Sequence, residues 1–198
     1  EAVTGGDSVG VPGLVSMLAL AHSRHGKLAW RDLFVPAIRL AEAGFPVSRR
    51  LNGLLAERGP DRFSHAARTY FFGADGKPRA VGERLANPAL AAALRRIADE
   101  GPIVMHQGEV AEAIIAAISA APRRPGTLSA ADLAVYAAKE RPAVCATYRK
   151  HRICGMGPPS SGGLATLMTL GLLEPLDLGR IAMSPSSLHL IAQAQRLA

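Results

Sequence analysis

The sequence predicts a predominantly helical α+β fold with one short β-hairpin. Three observations lead there. Alanine and leucine dominate an apolar set of 48%, while only 5% of the 198 residues are aromatic, and small aliphatic side chains suit close helix packing better than a broad sheet. Apolar residues recur at helical spacing in most of the segments between Gly and Pro breaks. The exception lies around residues 143–155, where β-prone residues replace the helical period.

Taken in order, Leu14, Met17, Leu18 and Ala21 follow Pro12-Gly13 at helical spacing and Gly26 stops them. A second helix carries Leu33, Ala37, Leu40 and Ala41 and ends at Gly44, with Pro36 in its first turn, where a proline removes no helical hydrogen bond. Ser48 is placed to cap a short helix over Leu51, Leu54 and Leu55. From about Arg58 to Gly82 the period lapses into a connection around Tyr70-Phe71-Phe72. Asn87-Pro88 then opens a helix that stops at Gly101-Pro102. Another runs through Val110, Ile114, Ile115 and Ile118 until Pro122 breaks it. Ser129-Ala130-Ala131-Asp132 resembles a capping box with Asp in the acidic position, so a short helix to about Tyr136 follows.

Residues 143–148 and 151–155 read as two strands joined at Arg149-Lys150, although that pair is poor chemistry for a tight primed turn. A two-residue turn there sets Tyr148 opposite His151 and Cys145 opposite Cys154, at a non-hydrogen-bonded position where side chains approach most closely. A disulfide is possible at that place, but the reading favours two free thiols filling apolar space. After Pro158-Pro159-Ser160-Ser161-Gly162-Gly163, read as an extended approach fixed by its prolines, helical spacing returns at Leu164, Leu167, Met168, Gly171 and Leu172. Ser186 is the expected cap of a last helix. Residues 1–140 thus form a helical region. Residues 141–198 hold the hairpin, the Pro-Pro-Ser-Ser-Gly-Gly turn and the helices after it, within one structural unit truncated at both ends. The opening Glu1-Ala2-Val3-Thr4-Gly5-Gly6 reads as the interior of a longer polypeptide.

Charge and motif content remove several functions. The formal charge of +7 comes from arginines scattered in ones and twos, without a basic run or interleaved aromatics, so nucleic-acid binding is not indicated. No apolar run approaches the ~20 residues of a membrane span. His22 and His25 are the only histidines with ligand-like spacing, and no third ligand accompanies them, so no metal site is expected. Ser160 and Ser161 lack the flanking glycines of a nucleophile elbow, and no Gly-Lys-Ser/Thr follows for phosphate binding. What the segment does offer is a helix start, whose unpaired N–H groups either receive an anion or are capped by Ser160 or Ser161.

Four blocks carry a resemblance. Ser8-Val9-Gly10-Val11-Pro12-Gly13 leads into a helix that closes at His25-Gly26-Lys27-Leu28. Pro36-Ala37-Ile38-Arg39-Leu40-Ala41-Glu42-Ala43-Gly44-Phe45-Pro46-Val47 is the second, and Leu128-Ser129-Ala130-Ala131-Asp132-Leu133-Ala134, with Tyr136 and Arg141-Pro142, is the third. The fourth is Gly157-Pro158-Pro159-Ser160-Ser161-Gly162-Gly163. In this order the blocks resemble the large subunit of the gamma-glutamyltranspeptidase family, over nearly the whole chain.

The resemblance implies part of the α-β-β-α fold of N-terminal-nucleophile hydrolases. It also implies a precursor that cuts itself, so that a threonine heading the small subunit attacks gamma-glutamyl amides such as glutathione. It brings no metal or organic cofactor, and it implies a periplasmic or extracellular location. The partners are the threonine-bearing small subunit of the same precursor and a gamma-glutamyl small molecule. No catalytic residue carries over, because Thr127, Thr147, Thr166 and Thr169 do not stand in a matching context. Ser160, Ser161, Gly162 and Gly163 remain as candidates for lining or supporting the substrate site, and this chain alone is expected to be inactive. The competing readings are a non-catalytic helical scaffold and a relative acting on cephalosporin side chains or poly-gamma-glutamate.

Overall fold

The computed structural model describes residues 5–179 and 183–198. The chain divides into two compact units, Glu1–Ala138 and Lys139–Ala198.

In the first unit, α1 (Leu14–His25) starts after Gly13 and stops at Gly26, whose N–H bonds back to the His22 carbonyl at 2.7 Å. A 3₁₀ turn, Trp30–Phe34, leads into α2 (Val35–Ala43), with Pro36 in the first turn as expected. Gly44 ends α2 at φ 74°, and a Cβ there would sit 2.8 Å from the Leu85 carbonyl oxygen, so both conformation and space require glycine. That close approach marks a pairing absent from the sequence reading. The strand β1 (Phe45–Pro46) runs antiparallel to β2 (Arg84–Leu85), and Val47, 1% exposed, extends the contact through its N–H to the Glu83 carbonyl at 2.8 Å.

Ser48 caps α3 (Arg49–Arg58) through the Leu51 N–H at 3.1 Å. The connection expected next contains a helix of its own, α4 (His65–Phe71), capped by Ser64. Its signal is weak because aromatics and Thr69 replace the aliphatic period. What holds it is tertiary: Phe72 is buried and packs on Phe63 at 5.3 Å, and the Arg79 guanidinium donates to the Thr69 carbonyl at 3.1 Å. Asn87 caps α5 (Pro88–Glu100) through the Leu90 N–H at 2.9 Å, and α5 lies along α2. The Trp30 indole N–H donates to the Ile97 carbonyl at 3.0 Å, and Arg31 pairs with Asp99 at 2.9 Å.

The 3₁₀ turn Pro102–Met105 is where α1, α5 and α6 (Gly108–Ser119) meet, and its Val104 is buried among them. Next to it, the buried His106 shares a 2.7 Å hydrogen bond between its Nε2 and the Ser16 hydroxyl, and its ring stacks on Tyr136 at 5.3 Å and 10°. Gly13 is required on α1's approach, since a Cβ there would fall 1.9 Å from the Tyr136 hydroxyl oxygen.

The expected capping box forms at α7 (Ala130–Ala134), which ends two residues before the expected Tyr136. Ser129 accepts from the Asp132 N–H at 3.3 Å, while the Asp132 carboxylate accepts from the Ser129 N–H at 2.9 Å and hydroxyl at 2.6 Å. These bonds, the hydroxyl first and the backbone N–H second, hold the Asp132 carboxyl below its ordinary value. They leave Leu133 pointing inward, 0% exposed.

In the second unit, β3 (Val144–Tyr148) and β4 (His151–Gly155) form the expected antiparallel hairpin, with Tyr148 opposite His151 and Cys145 opposite Cys154. The Arg149-Lys150 turn is viable because outside contacts hold it. Arg149 sits at φ 57°, its N–H donates to Glu174 Oε2 at 2.9 Å, and its guanidinium donates to the Leu176 carbonyl at 2.6 Å. The two cysteines are bonded to each other rather than free, with their Cα atoms 4.1 Å apart. Direct opposition at a non-hydrogen-bonded position supplies that closeness. The helix α8 (Ser161–Leu173) packs on the hairpin and on α9 (Pro185–Leu197). Ser184, not Ser186, caps α9, because Pro185 takes the first helical position and the Ser184 hydroxyl is left to accept from the Ser187 N–H at 3.2 Å.

Two outcomes follow from the α7 corner. Leu133→Ala is expected to destabilise the fold by about 2–5 kcal/mol, read as a lowered urea midpoint, and an unchanged midpoint would show that Leu133 is not a core residue. Because folding lowers the Asp132 pKa, the capping box stabilises above the unfolded value of about 3.9 and that contribution is lost as pH falls through the folded value. Ser129→Ala should move the Asp132 carboxyl titration upward, as followed by NMR, and a static titration would contradict the assignment.

Candidate functional site

The segment that leaves β4 does not run extended. Pro158-Pro159 is a cis peptide bond, and the Ser160 N–H donates to the Gly157 carbonyl at 3.1 Å, which makes residues 157–160 a turn with cis proline at its third position. The expectation of a straight approach is thereby corrected: proline pairs restrict φ, but the peptide bond between them retains two states. The Arg141 guanidinium donates to the Pro158 carbonyl at 3.2 Å and ties the turn to the chain before β3.

Beyond the turn, two glycines let backbone meet backbone. A Cβ on Gly155 would lie 2.7 Å from Gly163 Cα, and one on Gly163 would lie 2.3 Å from the Met156 carbonyl oxygen. The end of β4 and the first turn of α8 are therefore in direct contact, a closeness that any side chain would prevent. Gly162 faces open space. Together with Ile153, Cys154 and Met156, these glycines line a cavity of about 180 Å³.

Ser160, Ser161 and Gly162 are exposed and Gly163 is half-buried. Ser160 stands at the cap position of α8, yet its side chain accepts no backbone N–H, so the capping reading of this serine fails. The first-turn N–H groups carry the positive end of the helix dipole toward the turn. Among the described residues, neither serine hydroxyl is hydrogen-bonded to a histidine or carboxylate that would activate it, so neither is set up as a nucleophile. Thr166 is engaged too, its hydroxyl donating to the Gly162 carbonyl at 2.8 Å.

Of the two histidines singled out by spacing, His22 serves structure. Its Nε2 is hydrogen-bonded to the Leu28 carbonyl at 2.8 Å and its ring meets Trp30 edge-on at 5.4 Å, in the first unit. Among the described residues no three His, Cys, Asp or Glu side chains gather as a metal site would need. Nor, among the described residues, is any helix long and apolar enough to cross a membrane.

A family profile described as Gamma-glutamyltranspeptidase matches residues 1–198. The chain belongs to the gamma-glutamyltranspeptidase family. It is 33% identical over 197 residues to the acylase ACY 1 proenzyme of a Pseudomonas species, covering 99% of this chain and 35% of that protein. It is 31% identical over 191 residues to the glutathione hydrolase proenzyme of Escherichia coli, covering 96% of this chain and 32% of that protein. The chain thus spans about a third of the length of these relatives. Among solved structures, the gamma-glutamyltranspeptidase of Helicobacter pylori superposes with a TM-score of 0.88 at 31% identity, over 98% of this chain and 56% of that one. The helical α+β character read from the sequence is the character of this part of the family fold.

The two adjacent glycines should respond differently to the same change. Gly163→Ala is expected to lower stability by about 1–3 kcal/mol because the new methyl meets Met156 backbone, whereas Gly162→Ala should be neutral or mildly stabilising. Thermal melts of the two variants check this, and equal midpoints would sink the close-approach account.

Proposed function

We propose that this chain is an internal part of the large subunit of an enzyme that transfers or hydrolyses gamma-glutamyl groups, glutathione among its substrates, through an acyl-enzyme on a threonine. The observation that carries this reading is the family match across all 198 residues, joined to relatives named as proenzymes of which the chain spans a third. The threonine belongs to the small subunit of the same precursor. Its hydroxyl oxygen attacks the gamma-carbonyl carbon and its own amine takes the proton. The amine of the substrate then leaves, and water or an acceptor amine takes the acyl group.

This chain supplies no part of that exchange. A threonine inside a polypeptide has its nitrogen in a peptide bond, so Thr147 on β3 and Thr166 and Thr169 on α8 lack the amine that serves as base. Its contribution is to line or support the site with Ser160, Ser161, Gly162 and Gly163, where uncapped N–H groups suit a carboxylate. The partner surface in this reading includes α8. Leu164, Met168 and Leu172, one turn apart in succession, are 45%, 43% and 42% exposed, and apolar residues surround that helix on its other sides as well. The Cys145–Cys154 bond favours the periplasmic or extracellular location that the family resemblance implies, since disulfides persist where thiols are not kept reduced.

A second reading, an acylase acting on other amides such as cephalosporin side chains, is favoured by the 33% identity to the acylase ACY 1 proenzyme. Assaying the full-length precursor and the 198-residue chain on a gamma-glutamyl anilide and on a cephalosporin amide separates these. Turnover of the anilide by the matured precursor, and none above background by the chain alone, is the expected result. Activity of the chain alone would overturn the threonine assignment, and turnover of the cephalosporin amide only would move the substrate class to the acylases.

A further inference from the structure

A disulfide between neighbouring strands is ordinarily a staple, yet three features of Cys145–Cys154 argue for a different role. The hairpin register does not rest on it, because the Arg149-Lys150 turn, anchored to Glu174 and Leu176, already decides which residues pair. The cysteines are nine positions apart, so the loop they close is short and its closure removes little freedom from the unfolded chain compared with a long loop. Cys154 is also exposed, and it lines the cavity of about 180 Å³ beside Gly155, Met156 and Gly163, which leaves a small molecule a path to its sulfur.

We propose that Cys145–Cys154 is a thiol-exchange site whose redox state sets the rigidity of the hairpin that carries the candidate substrate-site turn. A small-molecule thiolate attacks the Cys154 sulfur, the bond between the two cysteines breaks, and Cys145 leaves as a thiolate that takes up a proton. A second small thiolate attacks the small-molecule sulfur of the mixed disulfide and releases Cys154. Two small thiols are oxidised to one disulfide, and the protein gains two electrons and two protons. The effect spreads through the backbone: Cys154 precedes Gly155, which touches Gly163, so freeing the strands loosens the wall behind residues 157–163. This inference holds whether the full enzyme takes gamma-glutamyl or other acyl groups.

The experiment equilibrates the full-length protein in buffers of graded reduced-to-oxidised glutathione, alkylates it, and reads Cys145 and Cys154 by peptide mass. Parallel samples give the melting midpoint and amide exchange of peptides covering residues 144–160. Both cysteines should become alkylated in reduced glutathione while the protein stays folded, with hairpin amides exchanging about tenfold faster than in the oxidised protein. Protection of both thiols until the protein melts would overturn the proposal. So would alkylation without any reductant, or hairpin exchange that ignores the redox state. The double variant Cys145→Ser, Cys154→Ser should fold and show the fast exchange at every glutathione ratio. Its failure to fold would show that the disulfide is a staple after all, and the proposal would fall.

Discussion

A strand and a helix can press backbone against backbone only where side chains are missing, and the second unit is organised around one such contact. Gly155 closes β4 and Gly163 lies in the first turn of α8, and neither position has room for a methyl group. Once the strand end and the helix start are pressed together, the intervening residues have little choice. They must reverse direction within a few positions, which they do through the Pro158-Pro159 turn, with Arg141 holding its carbonyl. The exposed serines and the uncapped N–H groups of α8 are consequences of that geometry. The Ser160 side chain at the cap position accepts no helix N–H, so the positive end of the dipole is left open. A motif whose prolines read as an extended approach is thus a corner.

The first unit relies on a different constraint. Its helices are short and rich in alanine, so no one of them buries enough surface to stand alone. Three of them, α1, α5 and α6, converge on the Pro102–Met105 turn, where Val104 is buried and His106 links Ser16 on α1 to the ring of Tyr136. A polar side chain in that place orients its neighbours more narrowly than an aliphatic one would. Its Nδ1 is nevertheless the one buried side-chain polar atom among the described residues without a hydrogen-bond partner.

Much of this was legible in the sequence, and the parts that were not share a physical reason. Ser48, Asn87 and Ser129 each announce a helix because a cap acts within three residues, so local sequence contains the whole interaction. The hairpin register was legible for the same reason: a two-residue turn fixes every pair that follows. The β1–β2 pairing joins residues about forty positions apart through two pairs, and nothing local encodes it. The α4 helix depends on Phe63 and Arg79, both outside it. The last helix is capped by Ser184 and not by the expected Ser186, because Pro185 between them takes the first helical position. At the candidate site the four residues were visible as a motif. Their geometry depends on the cis bond and on the glycine contact, which composition does not reveal. The disulfide was visible as a pair in register, but bond formation depends also on a compartment that the residues do not name.

Helix α8 carries one more implication. It is apolar around its circumference, while the hairpin and α9 cover only part of it, and the ridge of Leu164, Met168 and Leu172 faces solvent. Water molecules along that ridge are released whenever a second greasy surface arrives, so a concentrated solution of this polypeptide on its own is poised to cluster. The net charge of +7 opposes such clustering only at low ionic strength, since counterions screen it over about 8 Å in physiological salt. The solubility of this polypeptide is therefore governed by salt and concentration.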